Sequence, residues 1–246
     1  MPILLKPQEY YFLYSPNKAV PEEMLKYTIE SLVLEGHLQY YYKAIYINPN
    51  HNRKRARLFI CLGEKYNLQN TYTHAEKFVL GIFTKDEALR PIEIKLRLFD
   101  KLNDDIFKYR DEIVYKDIKN MGLVWMRRFL TSEGRRLKKE YANVIETLET
   151  DTAGLMKTPS ILAIHLTDLA TGIILLDDAT IKKLNLTVPD LKEIAAVFEI
   201  ITESGGGYGS SGFYGGGFSS GGFSGGGGFG GFGGGSFGGG GSGGSW

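Results

Sequence analysis

Residues 21–47, PEEMLKYTIESLVLEGHLQYYYKAIYI, form the stretch that decides the predicted fold. A proline and two glutamates at 21–23 suit the first turn of a helix. Apolar residues follow at helical spacing, and Gly36 is a typical helix end. The aromatic and β-branched residues after Gly36 indicate a strand or a tight hairpin. The stretch therefore predicts a helix, a glycine turn and a strand, in that order.

The same order recurs further along the chain. Thr73 can cap a helix, and apolar residues at helical spacing over 102–121 predict a long one. Gly122 closes that helix, and residues 123–130 indicate a strand. Helices followed by a glycine turn and a strand are typical of winged-helix units. We therefore expect two such units in tandem.

The expected fold class is mainly α with short β-hairpins. Residues 151–158 read as a linker before a small α module, whose last helix is expected over 188–201. The expected domains are winged-helix-like units over 1–70 and 71–150, a small helical module over 151–204, and a tail over 205–246.

The tail holds 25 of the 32 glycines and no charged side chain. Such a composition cannot offset the entropy lost on folding, so we expect low-complexity, disordered chain. Its aromatic rings could act as stickers that dock in a groove or associate with one another, or the tail could be an inert spacer. The candidate stickers are Phe213, Phe218, Phe223, Phe229, Phe232, Phe237 and Trp246.

Charge is distributed unevenly along the chain. Up to Lys139 there are 25 basic and 17 acidic residues, whereas 140–203 hold 4 basic and 11 acidic ones. Basic residues cluster in an expected loop between strands and beside the second expected wing, where they could hold nucleic-acid phosphates or lipid headgroups. They could equally be a solvated face or pair with the acidic module. The candidates for polyanion binding are Arg53, Lys54, Arg55, Arg57, Arg127, Arg128, Arg135 and Arg136.

Tyrosines are dense in the first expected unit. They could form a stacking or peptide-binding face, or an aromatic core with hydroxyls at its rim. A short helix over 7–14 is expected to expose Tyr10, Tyr11 and Phe12. The other tyrosines of this set are Tyr14, Tyr27, Tyr40, Tyr41, Tyr42 and Tyr46.

Residues with catalytic or metal-binding chemistry are sparse. The lone cysteine, Cys61, reads as a small core residue of a buried strand. His74 lies near Glu76, and His165 lies near Asp168, without a third ligand or a positioned nucleophile. We therefore expect no catalytic residue, metal site or cofactor. The apolar runs are too short to cross a bilayer, so we expect no transmembrane segment and a cytoplasmic protein.

The tail and several internal motifs resemble a family of uncharacterised bacterial proteins, most of them predicted membrane proteins. The shared features are a Gly-rich end closing on Gly-Gly-Ser-Trp, the turn at 121–124, and the segments at 130–136 and 161–166. Many relatives carry transmembrane helices between the turn and the segment at 130–136, where this chain has only a few residues. The segment at 130–135 is also similar to the exit from the wing in bacterial winged-helix regulators.

These patterns together predict a non-enzymatic binding or scaffold protein. We expect a protein partner, with peripheral membrane association and nucleic-acid binding as further possibilities. The alternative function is a winged-helix regulator that binds nucleic acid through its basic wing loops. Acidic residues on the expected recognition helix at 21–35 weigh against that alternative.

Overall fold

The structure is a computed structural model that describes residues 4–48, 51–66, 71–126, 129–188, 194 and 196–197. The described chain is mainly helical with two small antiparallel sheets, which confirms the predicted fold class at this level. The tail at 205–246 and most of the helix expected over 188–201 lie outside the described residues.

Nine α-helices are found in the described chain, and four of them begin with a side-chain cap. The side chains of Thr73, Thr131, Asp151 and Asp177 each accept a backbone N–H of the following helix. The helices are α1 (Pro7–Tyr14), α2 (Pro21–Leu34), α3 (His74–Leu80), α4 (Pro91–Lys101), α5 (Tyr115–Asn120), α6 (Ser132–Thr150), α7 (Thr152–Lys157), α8 (Pro159–Leu169) and α9 (Asp178–Lys183).

Five strands form the two sheets. One sheet has the order β1-β2-β3, and the other is a small hairpin of β4 and β5. Both are antiparallel. The strands are β1 (Leu38–Asn48), β2 (His51–Leu62), β3 (Ala88–Leu89), β4 (Val124–Met126) and β5 (Phe129–Leu130).

Four predictions about local structure were wrong. The basic residues at 54–57 lie within β2 and pair with β1, rather than in a loop. Val124–Met126 and Phe129–Leu130 pair as two antiparallel strands rather than forming one strand. The expected linker at 151–158 contains α7, because the Asp151 side chain accepts the N–H of Gly154 and starts a new helix. The long helix expected over 102–121 is broken, as the next paragraph explains.

The break in that helix lies at Asn103 and Asp104. Both have left-handed backbone conformations, with φ of 51° and 59°. Asn and Asp adopt this conformation more readily than other non-glycine residues, because their short polar side chains bond the local backbone. The helix resumes as a π-helical turn over Tyr109–Val114 that leads into α5.

One continuous hydrophobic cluster runs from Leu5 to Ile194. Tyr10 and Phe12 are buried within it at 1% exposure, which corrects the expectation that α1 exposes them. The ring of Tyr10 stacks on that of Tyr141 of α6, with centroids 5.5 Å apart. Burial follows because α1 packs against both α2 and α6.

Two glycine turns connect helices to strands, at Gly36 after α2 and at Gly122 after α5. Both have positive φ, 81° and 71°. The next residue closes each turn: the N–H of His37 donates to the Leu32 carbonyl at 2.9 Å, and Leu123 N–H to that of Ile118 at 3.1 Å. This pattern is a Schellman cap, which glycine adopts without steric cost. The recurrence seen in the sequence thus corresponds to a recurrence of backbone geometry.

Candidate functional site

The β4–β5 hairpin carries a group of exposed apolar side chains. Leu123 and Val124, at its base, are buried in the core at 0% and 3% exposure. Beyond them, Trp125 is 60% exposed, Met126 48% and Phe129 55%. The rings of Trp125 and Phe129 lie 5.5 Å apart, centroid to centroid. The buried base therefore anchors a projecting apolar tip.

Cations of α6 border this tip. A groove of about 690 Å³ lies between the hairpin and α6, and none of the described residues that line it is acidic. Arg135 is exposed and donates to the Leu130 carbonyl at 2.9 Å, which holds the guanidinium beside the hairpin. The groove is lined by Trp125, Phe129, Leu130, Arg135, Lys138, Lys139 and Ala142.

Lys138 is the least exposed of the three cations that line this groove. Its ammonium donates to the carbonyl of Tyr14 at 2.6 Å and lies 5.0 Å from the centre of the Tyr14 ring. Partial burial lowers the pKa of Lys138. We call the exposed side chains Trp125, Met126 and Phe129, with the cations Arg135, Lys138 and Lys139, the hairpin site.

The predicted polyanion-binding residues that the structure describes lie on two elements, β2 and α6. Arg135 belongs to the hairpin site, whereas Arg136 makes ion pairs with Glu133 and Glu140 on α6. Arg127 and Arg128 lie outside the described residues. Lys54, Arg55 and Arg57 lie on β2 in the other sheet, and Arg53 belongs to β2 with its side chain outside the described part. The basic cluster that was expected in a loop therefore lies on a strand.

The tyrosines predicted as one set divide into two. Tyr10 is in the core, and Tyr11 packs edge-on against Tyr27 with ring centroids 5.4 Å apart. Tyr41 and Tyr46, in contrast, are 44% and 56% exposed on β1. The aromatic-core interpretation therefore holds for part of the set, whereas a stacking or peptide-binding face stays a prediction for the exposed tyrosines.

Acidic side chains form a second cluster, which is buried at the start of α3. The Asp117 carboxylate accepts the backbone N–H groups of His74 and Ala75, at 2.8 and 3.0 Å. Glu76 accepts the N–H of Thr73 at 2.8 Å and makes an ion pair with Lys6 at 2.8 Å. These carboxylates cap the start of α3 and pair with Lys6, so their charge stabilises the fold.

His74 pairs with a carboxylate that is distant in the sequence. His74 contacts Asp117, with Nδ1 2.6 Å from Oδ1, whereas the expected neighbour Glu76 is engaged with the Thr73 backbone and Lys6. Cys61 is half-buried on β2, outside the hydrophobic core. Over the described ranges no group of three or more His, Cys, Asp or Glu side chains could hold a metal ion.

The sequence interpretation missed the apolar part of the hairpin site. Residues 123–130 were read as one strand because apolar and aromatic residues dominate the run. The available signal was the Arg127-Arg128 pair within the run, since arginine is almost never fully buried unless paired and two of them argue against one buried strand.

No protein-family model matches this chain, and neither the curated proteins nor the solved structures include a significant match. Among the described helices none is both long and apolar enough to cross a membrane.

Proposed function

We propose that this chain is a non-enzymatic binding protein that attaches peripherally to an anionic membrane surface through the hairpin site. The observation that carries the proposal is the exposure of Trp125, Met126 and Phe129 on one short hairpin beside the cations of α6. Apolar and aromatic side chains with adjacent cations suit the boundary between headgroups and acyl chains.

The energies of these groups fit reversible attachment. Full burial of a large apolar side chain contributes about 1.5–3 kcal/mol, and these three are already about half buried. Together they would contribute on the order of 3–4 kcal/mol. Each of the cations near an anionic leaflet adds about 1 kcal/mol. The sum favours a bound state that salt weakens, because the electrostatic part is screened.

The finer fold proposal is a tandem winged-helix body. It is supported by the element order of residues 74–130: helix, short strand, helix, helix, hairpin. In that interpretation the β4–β5 hairpin is a wing. One feature differs from a simple repeat, since β3 pairs with β2 of the preceding hairpin rather than with β5.

A lack of enzymatic activity is proposed because the buried acids already have structural partners. The Asp117 oxygens accept N–H groups at the start of α3, and Glu76 is shared between Thr73 and Lys6. A general base needs a carboxylate or imidazole that can reach a substrate proton. The carboxylate oxygens of Asp117 and Glu76 are instead occupied by hydrogen bonds and an ion pair within the protein.

The alternative function, duplex-DNA binding through basic wing loops, has less support. The cluster at 54–57 lies in a strand, and Arg136 is neutralised by two glutamates. The helix α2 carries Glu22, Glu23 and Glu30, which would face phosphate repulsion in a major groove.

Vesicle binding followed by tryptophan fluorescence tests the proposal. The chain has two tryptophans, so a Trp246→Phe background leaves Trp125 as the reporter. We expect a blue shift with vesicles of phosphatidylglycerol and phosphatidylcholine, and a much smaller one with phosphatidylcholine alone. Co-sedimentation should fall for Phe129→Ala and for Arg135→Ala.

Leu96→Ala is the matched control, because Leu96 is 62% exposed on α4 away from the hairpin site. It should bind vesicles as the parent does. Equal binding of Phe129→Ala and the parent, or no blue shift with anionic vesicles at low salt, would contradict membrane attachment. A protein that is captured by the parent and lost with Phe129→Ala would then identify the hairpin site as a protein interface.

A further inference from the structure

The long hairpin of β1 and β2, which we call the arm, contains no acidic residue. Its cations are Lys43, Arg53, Lys54, Arg55 and Arg57. An acid-free stretch of this length is notable in a chain whose basic and acidic totals nearly cancel, at 29 and 28. The arm is therefore a local concentration of positive charge.

The strand register sorts the arm into two faces. On one face, Leu58 and Ile60 are fully buried in the core at 0% exposure, opposite Tyr42 and Tyr40. Side chains alternate between the faces of a strand, so the intervening residues lie on the opposite face, which we call the outward face. Ile45 and Arg57 of this face are half-buried and border a groove with Pro91 and Val197. That outward face carries the pairs Gln39↔Cys61, Tyr41↔Phe59, Lys43↔Arg57 and Ile45↔Arg55.

An aromatic platform lies on this outward face. The rings of Tyr41 and Phe59 are nearly parallel, at 13°, with centroids 5.7 Å apart, and Tyr41 is 44% exposed. Phe59 is half-buried. The exposed Tyr41 ring, held by the sheet, presents an apolar surface that loses little entropy when a ligand stacks on it.

Uncompensated cations continue from this platform toward the end of the arm. Lys43 lies directly opposite Arg57, and like charges in that position destabilise a sheet. Within the described residues, none of the salt bridges involves Lys43, Arg55 or Arg57. An anionic ligand would relieve this repulsion.

We propose that the outward face of the arm binds single-stranded nucleic acid. Bases stack on Tyr41 and Phe59, and backbone phosphates pair with Lys43, Arg55 and Arg57. The rings favour a single strand, because bases in a duplex already stack on one another and cannot reach a flat aromatic platform. Successive pairs along the face are about 7 Å apart, so the platform and the cations together contact several nucleotides. This surface is separate from the hairpin site and does not depend on membrane attachment.

Fluorescence anisotropy with the full chain tests this inference. The probes are a labelled mixed-sequence DNA strand of about 12 nucleotides, its RNA equivalent and the matching duplex. At low salt we expect the single strands to bind more tightly than the duplex. Tyr41→Ala should weaken single-strand binding about tenfold or more, whereas Tyr41→Phe keeps the ring and should bind as the parent does.

The salt dependence of binding distinguishes the contribution of the cations from that of the aromatic rings. Arg55→Ala should reduce the slope of log affinity against log salt by about 0.7, and Tyr41→Ala should leave that slope unchanged. Lys182→Ala, which removes an exposed cation of α9, is the charge control and should change neither quantity. Thermal melts of each variant confirm that the fold is retained.

Three results would overturn the inference. The first is no single-strand binding at low salt. The second is a duplex that binds as tightly as the single strand, with Tyr41→Ala having no effect. The third is competition by polyglutamate as effective as competition by the unlabelled oligonucleotide, since that indicates attraction by charge alone.

Discussion

Asp117 on α5 accepts two hydrogen bonds from His74 at the start of α3. Its Oδ1 atom is 2.8 Å from the backbone nitrogen of His74 and 2.6 Å from Nδ1. A carboxylate only accepts, so Nδ1 must carry a proton in this arrangement. The other oxygen accepts the N–H of Ala75 at 3.0 Å. One buried side chain thereby satisfies the first N–H groups of α3 and fixes that helix against α5.

We predict that Asp117→Ala lowers the free energy of unfolding by about 2–3 kcal/mol, because buried donors lose a charged acceptor. Asp117→Asn should cost less, since one carbonyl oxygen remains. Urea unfolding followed by circular dichroism measures both. The exposed Asp100→Asn is the control and should stay near the parent value. A loss below about 0.5 kcal/mol for Asp117→Ala would show that α3 is held by apolar packing alone.

A second prediction concerns pH and Glu9. The pKa of Glu9 is raised to about 8, mainly by burial and to a smaller extent by the carboxylates of Asp117 and Glu76, whereas the hydrogen bond from the Lys6 backbone N–H opposes the shift. A carboxyl with a raised pKa in the folded state stabilises the fold below its unfolded pKa. That contribution is lost as pH rises from about 4.5 toward about 8.

Glu9→Gln should therefore flatten the pH dependence. The difference in unfolding free energy between variant and parent should grow in favour of the variant by up to about 1.4 kcal/mol per pH unit across that window. Urea unfolding at several pH values measures the difference. Glu146→Gln, on the exposed side of α6, should give a constant difference. A constant difference for Glu9→Gln as well would mean that Glu9 is ionised in the folded protein.

Local signals explain which parts of the fold could be predicted. The proline start of α2, the cap at Thr73 and the glycine turns at Gly36 and Gly122 depend on a few neighbouring residues, and the sequence predicts each of them. The candidate sites depend on distant pairings instead. Asp117 meets His74 across 43 positions of sequence, and no local pattern encodes that contact.

In the arm, too, the sequence alone could not predict which residues of the two strands lie opposite one another. Composition alone showed that 53–57 is basic, but only the register with β1 shows that Arg57 lies opposite Lys43 beside a ring pair. Register depends on which face the core buries, here that of Leu58 and Ile60. A loop and a strand of the same composition could not be distinguished until that face was known.

A third prediction contrasts two glycines near the hairpin site. A Cβ on Gly134 would lie 2.2 Å from the carbonyl oxygen of Leu123, whereas one on Gly122 would meet nothing within 4 Å. Gly134→Ala must displace backbone and should cost about 3 kcal/mol, the upper end of the usual range for overpacking. Gly122→Ala should cost about 1–2 kcal/mol, for the left-handed conformation alone. Gly122→Asn should cost less than Gly122→Ala. Urea unfolding checks this order, and equal losses for the two alanine variants would show that α6 can move away from Leu123.

The last prediction concerns removal of residues 205–246. The described core draws its side chains from Leu5 to Ile194, so truncation after Ser204 should leave the thermal unfolding midpoint within about 2 °C of the full chain. If the Phe side chains of the tail act as stickers, partner recovery in a pull-down should fall while the fold is retained. Replacing the six phenylalanines at 213–237 with serine at constant length is the matched control, because it removes rings without shortening the chain. Loss of recovery with the truncation but not with the serine variant would assign the tail a spacer role. A large drop in the midpoint would instead show that the tail packs on the body.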